Sequence, residues 1–138
     1  MAREKTFRLS VVTPEGSVLD AEATSAVFPA HDGAYGILPN HAPLLSLVGI
    51  GELRATRADG ATDVLYVDGG FAQFVDNRLT LITEQARTLD RLDPEDPPRL
   101  LERARELRTS GEVEQAVVDA AFERARVQKR LIDKRPAS

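Results

Sequence analysis

Apolar and polar residues alternate along the first 88 positions of the chain. The alternation is clearest in Phe7-Arg8-Leu9-Ser10-Val11 and again at 52–56, and it is the period of two that a half-buried strand produces. Further apolar runs of strand length occupy 25–28, 64–67, 71–75 and 79–82. Turn residues separate these runs, as in Thr13-Pro14-Glu15-Gly16, where proline fixes φ and glycine accepts a positive φ. Short strands with turns about every 8–12 residues are typical of an antiparallel β-sandwich or barrel.

A helical spacing replaces the alternation near position 96. Leu100, Ala104 and Leu107 recur at i, i+4 and i+7, the spacing of one helix face. Asp96 before Pro97 predicts the helix start, because the Asp oxygen accepts a first-turn N–H and proline needs no donor there.

A second helix is predicted after a short interruption at 109–111. Thr109 and Glu112 have the spacing of a capping box. The apolar positions that follow are Val113, Val117, Ala120, Ala121 and Leu131. Two amphipathic helices joined by a short turn form an αα-hairpin. Because this apolar stripe is narrow and rich in alanine, it buries little area at ~25 cal/mol per Å², so we expect a marginally docked, movable hairpin.

The composition changes near residue 89. Eight of the nine glycines and both histidines lie in 1–88, whereas 22 of the 50 residues in 89–138 are charged. The first part carries seven basic and eleven acidic residues, and the second part carries eleven of each. We therefore predict an N-terminal antiparallel β-sandwich at 1–88 and a C-terminal two-helix antiparallel hairpin at 89–138, with the junction at 93–98.

Several classes of function are disfavoured by composition. The chain has no cysteine, which removes disulfides, thiolate metal sites and cysteine nucleophiles. No apolar run approaches the roughly 20 residues of a membrane-spanning helix, and the first residues lack the apolar stretch of a secretory signal. A net charge of −4 argues against a nucleic-acid partner, because phosphate binding needs clustered Lys and Arg.

Catalytic and metal-binding groupings are weak. His31, Asp32 and His41 are candidate zinc ligands, but they lack the helical spacing that presents ligands together. Asp20 and Glu22 form a possible acid pair, for which solvated strand charges are the simpler interpretation. No phosphate-loop or serine-elbow motif is present. We expect no catalytic residue, no metal and no cofactor.

The segment 31–45 stands out because it combines two glycines and two prolines with apolar residues of exposed type. One interpretation is a structural loop held by its own side chains. The other is a contact loop that offers Tyr35, Ile37 and Leu38 to a partner. The residues alone leave both open.

The same segment resembles the epsilon subunits of F-type ATP synthases. The sequence at 33–44, Gly-Ala-Tyr-Gly-Ile-Leu-Pro-Asn-His-Ala-Pro-Leu, follows the family pattern G-x-x-G-[IL]-x-P-x-H-A-P-L. The residues at 11–15, 49–53 and 66–71 also resemble the family's opening strand, the stretch after the loop, and the central strand with its glycine pair. The resemblance covers essentially the whole chain, since a C-terminal helical hairpin is also the family pattern.

The resemblance implies a role and partners. It implies a non-catalytic central-stalk subunit that couples the c-ring to the gamma shaft of a proton-translocating synthase. The sandwich would grip gamma, and the loop would meet the c-ring through Ala34, Tyr35, Gly36, Ile37 and His41. Family members often carry an acidic residue where this chain has Ala34, so apolar and backbone contacts would have to serve there.

In the family the hairpin packs against the sandwich or extends beside gamma and blocks hydrolysis. By this resemblance the basic residues Arg124, Arg126, Lys129 and Arg130 would meet an acidic segment of the catalytic β subunit, with simple solvation as the other interpretation. The hinge at 109–111 suits an element with two states.

Some family members also bind ATP through an [IL]-D-x-x-R-A motif and arginines of the second helix. Asp93 matches that motif, and Arg126 and Arg130 match the spacing of the arginines, but Asp96 and Pro97 replace the motif Arg and Ala. Because an Asp repels a triphosphate and the motif arginine is missing, we expect no tight nucleotide binding.

The resemblance implies a peripheral location at the cytoplasmic face of the bacterial inner membrane, without direct membrane insertion. The alternative function is a free-standing β-sandwich binding module whose hairpin docks on another helical protein. A small metal-dependent enzyme of jelly-roll type is the third possibility. Binding to isolated gamma separates the first two, and elemental analysis tests the third.

Overall fold

The computed structural model describes residues 4–135, and the chain divides into two compact units, the first ending at Thr88 and the second beginning at Leu89. The strands of the first unit are β1 Phe7–Thr13, β2 Gly16–Ala30, β3 Gly33–Ile37, β4 Leu44–Leu47, β5 Ile50–Arg57, β6 Thr62–Asp68, β7 Phe71–Val75, β8 Arg78–Ile82 and β9 Ala86–Thr88. The second unit contains a 3-10 turn, Leu89–Arg91, and the helices α1 Asp96–Ser110 and α2 Gln115–Lys134.

The strands are joined in the order β4-β7-β8-β1-β2-β5-β6-β9, and β3 pairs with β2. Among the described residues β1 and β8 run parallel, and the other strand pairs are antiparallel. The 15-residue β2 pairs with β1 through its first part and with β3 and β5 through its second. Its register with β5 shifts between Ala23 and Ser25, and an irregularity of this kind bends a strand.

The alternation seen in the sequence places one face of each strand in a common core. Phe7, Leu9 and Val11 of β1 are at most 1% exposed, as the period of two requires. They belong to a cluster with Leu53, Leu65, Leu79 and Leu81 and with Phe28, Ile37 and Phe74. Phe7 meets Phe74 edge to face with ring centroids 5.8 Å apart. Most side chains of this core are therefore those of valine, leucine and isoleucine, and Phe7, Phe28 and Phe74 are its aromatic members.

The two helices pack on one another within the second unit. Their buried side chains are mostly small, as Ala104 of α1 and Val118, Ala121 and Ala125 of α2 show. The predicted fold class, a β-sheet domain followed by two packed helices, is confirmed.

The structure corrects the predicted strand pattern between 25 and 47. The strand predicted at 25–28 is the second part of the longer β2, which continues to Ala30, and the segment 31–45, expected to be a loop, contains β3 and the start of β4. β3 pairs with the second part of β2, and β4 pairs with β7. Pairing with strands elsewhere in the chain overrides the glycine and proline content that suggested a loop.

Both predicted helix starts are also corrected. Asp96 is the first residue of α1 rather than its cap, and Glu95 occupies the N-cap without a side-chain hydrogen bond. The preceding Asp93 carboxylate accepts the Glu95 N–H at 2.9 Å. Thr109 stays inside α1, where its hydroxyl donates to the Glu106 carbonyl, so the expected capping box with Glu112 is absent. Gly111 ends α1 with φ 68°, a left-handed conformation that glycine adopts without a Cβ penalty.

Candidate functional site

The end of the β2–β3 hairpin is an exposed surface. His31 and Asp32 form the turn and are exposed, and so are Ala34 and Gly36 on β3. Tyr35 lies between them and is half-buried, because its ring packs at 5.6 Å from the ring of Phe28. The hairpin therefore exposes backbone and small side chains to solvent.

The structure does not bring all five predicted c-ring contacts to this surface. Ile37 is 1% exposed, since it pairs with Ala26 and points into the sandwich core. The expectation that Ile37 offers its side chain to a partner is therefore corrected. Leu38, the next residue, is 63% exposed and takes that position on the surface.

His41 is held behind this surface by two hydrogen bonds. Its Nδ1 lies 2.7 Å from the Ala42 carbonyl oxygen, and because a carbonyl only accepts, Nδ1 carries the proton. In the neutral ring, Nε2 is then the acceptor for the Tyr35 hydroxyl at 3.4 Å. The His41 ring also packs edge to face against Tyr35 and Phe74, with centroids 5.8 Å apart in each case. Tyr35 and His41 thus support the loop.

A second surface lies on the outward side of β4, β7 and β8 and was not located by sequence reasoning. We call it the apolar face and define it by Leu45, Leu47, Phe71, Val75 and Ile82. Leu47, Phe71 and Ile82 lie opposite one another on adjacent strands. They are 56%, 53% and 57% exposed, so more than half of each side chain meets solvent. The signal in the sequence was β7 itself, whose Phe71, Phe74 and Val75 are apolar on both faces.

Charged side chains occupy the neighbouring outward positions of β1 and β2. Arg8 donates through Nε to Asp20 at 2.7 Å and lies 3.4 Å from Glu22 through Nη1. The hydrogen bond from Arg8 lowers the pKa of Asp20, and the same bond raises the pKa of Arg8. These carboxylates are ion-paired strand charges, in agreement with the simpler interpretation of Asp20 and Glu22.

The four basic residues proposed for regulation do not form one patch. Arg126, Lys129 and Arg130 are exposed on α2, whereas Arg124 is half-buried. Arg126 pairs with Glu123, and Lys129 pairs with Asp133 at 2.7 Å. Exposed pairs of this kind hold their partners weakly, so an acidic partner can compete for both cations.

A cavity of about 600 Å³ opens between α1 and α2. Apolar side chains dominate its lining, among them Pro97, Leu101 and Phe122, and Arg126 and Lys129 stand at its border. Of the three ATP candidates, Arg126 lines this cavity, whereas Asp93 and Arg130 do not. The structure therefore does not gather these three residues around one space.

Within residues 4–135 no group of three His, Asp or Glu side chains is arranged to hold a metal ion. No helix in the same part of the chain is long and apolar enough to cross a membrane.

Comparison with known proteins identifies the family. Residues 6–88 match the family model described as "ATP synthase, Delta/Epsilon chain, beta-sandwich domain". An ATP synthase epsilon chain of Nitratidesulfovibrio vulgaris is 34% identical over 128 residues, which cover 93% of this chain and 90% of the relative. One from Desulfitobacterium hafniense is 44% identical over 88 residues, 64% of this chain and 66% of the relative.

Two solved structures share the fold. A chain of the Euglena gracilis mitochondrial ATP synthase, in a structure of OSCP, F1 and the c-ring, superposes with a TM-score of 0.78 at 21% identity, covering 94% of this chain and 83% of that one. A chain from a structure of the central stalk and c-ring of the Tetrahymena thermophila mitochondrial ATP synthase gives a TM-score of 0.64 at 9% identity, covering 96% of this chain and 99% of that one. The resemblance first seen at residues 33–44 is confirmed, and the chain belongs to the family of ATP synthase epsilon chains.

Proposed function

We propose that this chain is a non-catalytic subunit of the central stalk of a proton-translocating ATP synthase and that residues 1–88 join its gamma shaft to its c-ring. The observation that carries the proposal is the presence of two separate exposed surfaces on a sandwich of the epsilon family. A connecting subunit needs one surface for each partner. The same proposal assigns rotor binding to residues 1–88 and regulation to residues 89–138.

Gamma is the partner proposed for the apolar face. Leu47, Phe71 and Ile82 form a row across three adjacent strands, with Leu45 and Val75 exposed beside it. Strands lie about 4.8 Å apart, so such a row is continuous rather than scattered. A soluble protein seldom leaves a contiguous apolar surface uncovered unless it binds a partner.

The c-ring is the partner proposed for the β2–β3 hairpin and the loop that follows it. Ala34, Gly36 and Leu38 are exposed there, and Tyr35 and His41 support them from behind. The solved chain from Tetrahymena, which has the same fold, comes from a structure of the central stalk and c-ring. Through these contacts the protein would lie peripherally at the cytoplasmic face of the bacterial inner membrane.

We further propose that the hairpin inhibits ATP hydrolysis by reaching the catalytic β subunit. Small buried side chains such as Ala104, Ala121 and Ala125 make the contact between α1 and α2 modest in area. Gly111 gives the connection between the helices a residue free to change its backbone angles. The exposed cations of α2, Arg126, Lys129 and Arg130, are available to an acidic segment. Tight ATP binding is not part of the proposal.

Titration of an epsilon-depleted catalytic head tests this function. We expect saturable inhibition of hydrolysis by the full chain, no inhibition by a version ending at Thr88, and co-purification of both with the head. Inhibition by neither version would remove the hairpin's role. Co-purification of neither would remove the subunit assignment and favour the free-standing binding module.

A further inference from the structure

The segment 38–41 is fastened to the sandwich by Asn40. Asn40 adopts a left-handed backbone with φ 67°. Its backbone N–H donates to Oδ1 of Asn77 at 2.7 Å, and its own Nδ2 donates to the Glu4 carbonyl at 2.7 Å. Leu38, which is 63% exposed, and His41, which contacts Tyr35, stand on either side of this attachment.

Asn77 uses both ends of its side-chain amide. Its Oδ1 accepts from Asn40, 37 positions away in the sequence, and its Nδ2 donates to the Thr6 carbonyl, 71 positions away, at 2.7 Å. Its backbone carbonyl accepts the Arg8 N–H at 3.1 Å. One side chain in the β7–β8 turn therefore ties the segment 38–41 to the start of β1.

We propose that Asn77 is a positioning residue for the c-ring contact. The inference rests on the proposed function, in which Leu38 and the β2–β3 hairpin meet the ring. Asparagine alone among side chains of this length offers a carbonyl acceptor and an N–H donor on one rigid plane. Asn77 thereby fixes the height and direction of the segment relative to the sandwich without touching the ring.

The effect of the side-chain contacts of Asn77 has to be separated from the effect of its positive φ. The turn Asp76-Asn77 has φ 52° and 59°, values that glycine and asparagine both adopt readily. Asn77→Gly keeps that conformation accessible and removes both side-chain hydrogen bonds. Asn77→Asp keeps the acceptor for Asn40 but turns an oxygen toward the Thr6 carbonyl. Asp76→Asn is the matched control, because it changes the same turn and leaves Asn77 intact.

Crosslinking in the assembled enzyme tests the inference. The chain has no native cysteine, so Leu38→Cys gives a single site for a benzophenone maleimide. We expect crosslinking to the c-ring in this parent and in the Asp76→Asn background. In the Asn77→Gly background the yield per bound chain should fall by at least about fivefold, the lower limit for the loss of two hydrogen bonds, and in Asn77→Asp by less.

The outcomes separate the inference from the function on which it rests. Equal yield per bound chain in the parent and in both Asn77 variants overturns the positioning role. The same holds if the variants merely bind the enzyme less and crosslink normally once bound. Absence of any ring crosslink in the parent, with the chain bound, overturns the proposed ring contact itself.

Discussion

Replacing Leu47, Phe71 and Ile82 together by threonine would remove the centre of the apolar face. The three side chains are 56%, 53% and 57% exposed, so the folded chain alone gains little from them. Threonine is a good strand residue, and therefore the strands themselves should persist. Surface substitutions of this kind usually change the free energy of unfolding by about 0.5 kcal/mol or less each.

The expected loss of gamma binding follows from the area still exposed. Burying a whole Leu, Ile or Phe side chain contributes about 1.5–3 kcal/mol, so covering the exposed half of each contributes about 1 kcal/mol. Three such losses amount to about 3 kcal/mol, which corresponds to a dissociation constant about a hundredfold larger.

Titration calorimetry with isolated gamma measures this change directly. Val27→Thr is the matched control, because Val27 is also an exposed apolar strand residue, at 38%, but lies on β2 outside the apolar face. We expect the control to bind as the parent does. A triple variant that unfolds at the parent's temperature and binds gamma with unchanged affinity would refute the placement of gamma on this face.

Two further predictions concern the sandwich. Gly70→Ala should cost about 3 kcal/mol or more in urea unfolding, because a Cβ there would lie 1.9 Å from the Ile82 carbonyl oxygen at φ +102°. Gly60→Ala, with φ +92° and open space, should cost only about 1 kcal/mol, and equal losses would contradict the clash. Because Arg8 lowers the folded-state pKa of Asp20, stability gained above the unfolded pKa of about 3.9 should be lost as pH falls through the folded pKa. Asp20→Asn should abolish that part of the pH dependence. Identical stability profiles for the parent and Asp20→Asn between about pH 2 and 6, the range in which an aspartate titrates, would contradict it.

The sequence predicted the strands whose neighbours lie nearby in the chain. The β5–β6 hairpin follows from the alternation at 52–56 and the apolar run at 64–67, which are joined by a short turn containing Gly60 that sets the local register. β3 was missed because two of its five residues are glycine. β4 was missed because it is only four residues long and is specified by its pairing with β7, more than twenty residues later. A single sequence carries no direct signal for such a distant partner.

The candidate surfaces were predictable in part for a similar reason. The motif at 33–44 indicated a contact loop, but the burial of Ile37 follows from its pairing with Ala26, which its position in the motif does not reveal. The apolar face was missed because alternation of apolar and polar residues predicts a strand with one buried face. It does not reveal which apolar side chains stay exposed on the other face. Asn77 gave no signal, since its two side-chain partners are 37 and 71 positions away.

ATP-driven proton pumping by membrane vesicles whose synthase lacks epsilon tests the central claim most directly. Addition of residues 1–88 should restore pumping, because the sandwich would reconnect gamma to the c-ring, and the full chain should restore less, because its hairpin would inhibit the hydrolysis that drives the pump. If residues 1–88 bind to the enzyme and do not restore pumping, the sandwich does not couple gamma to the ring and the account is contradicted.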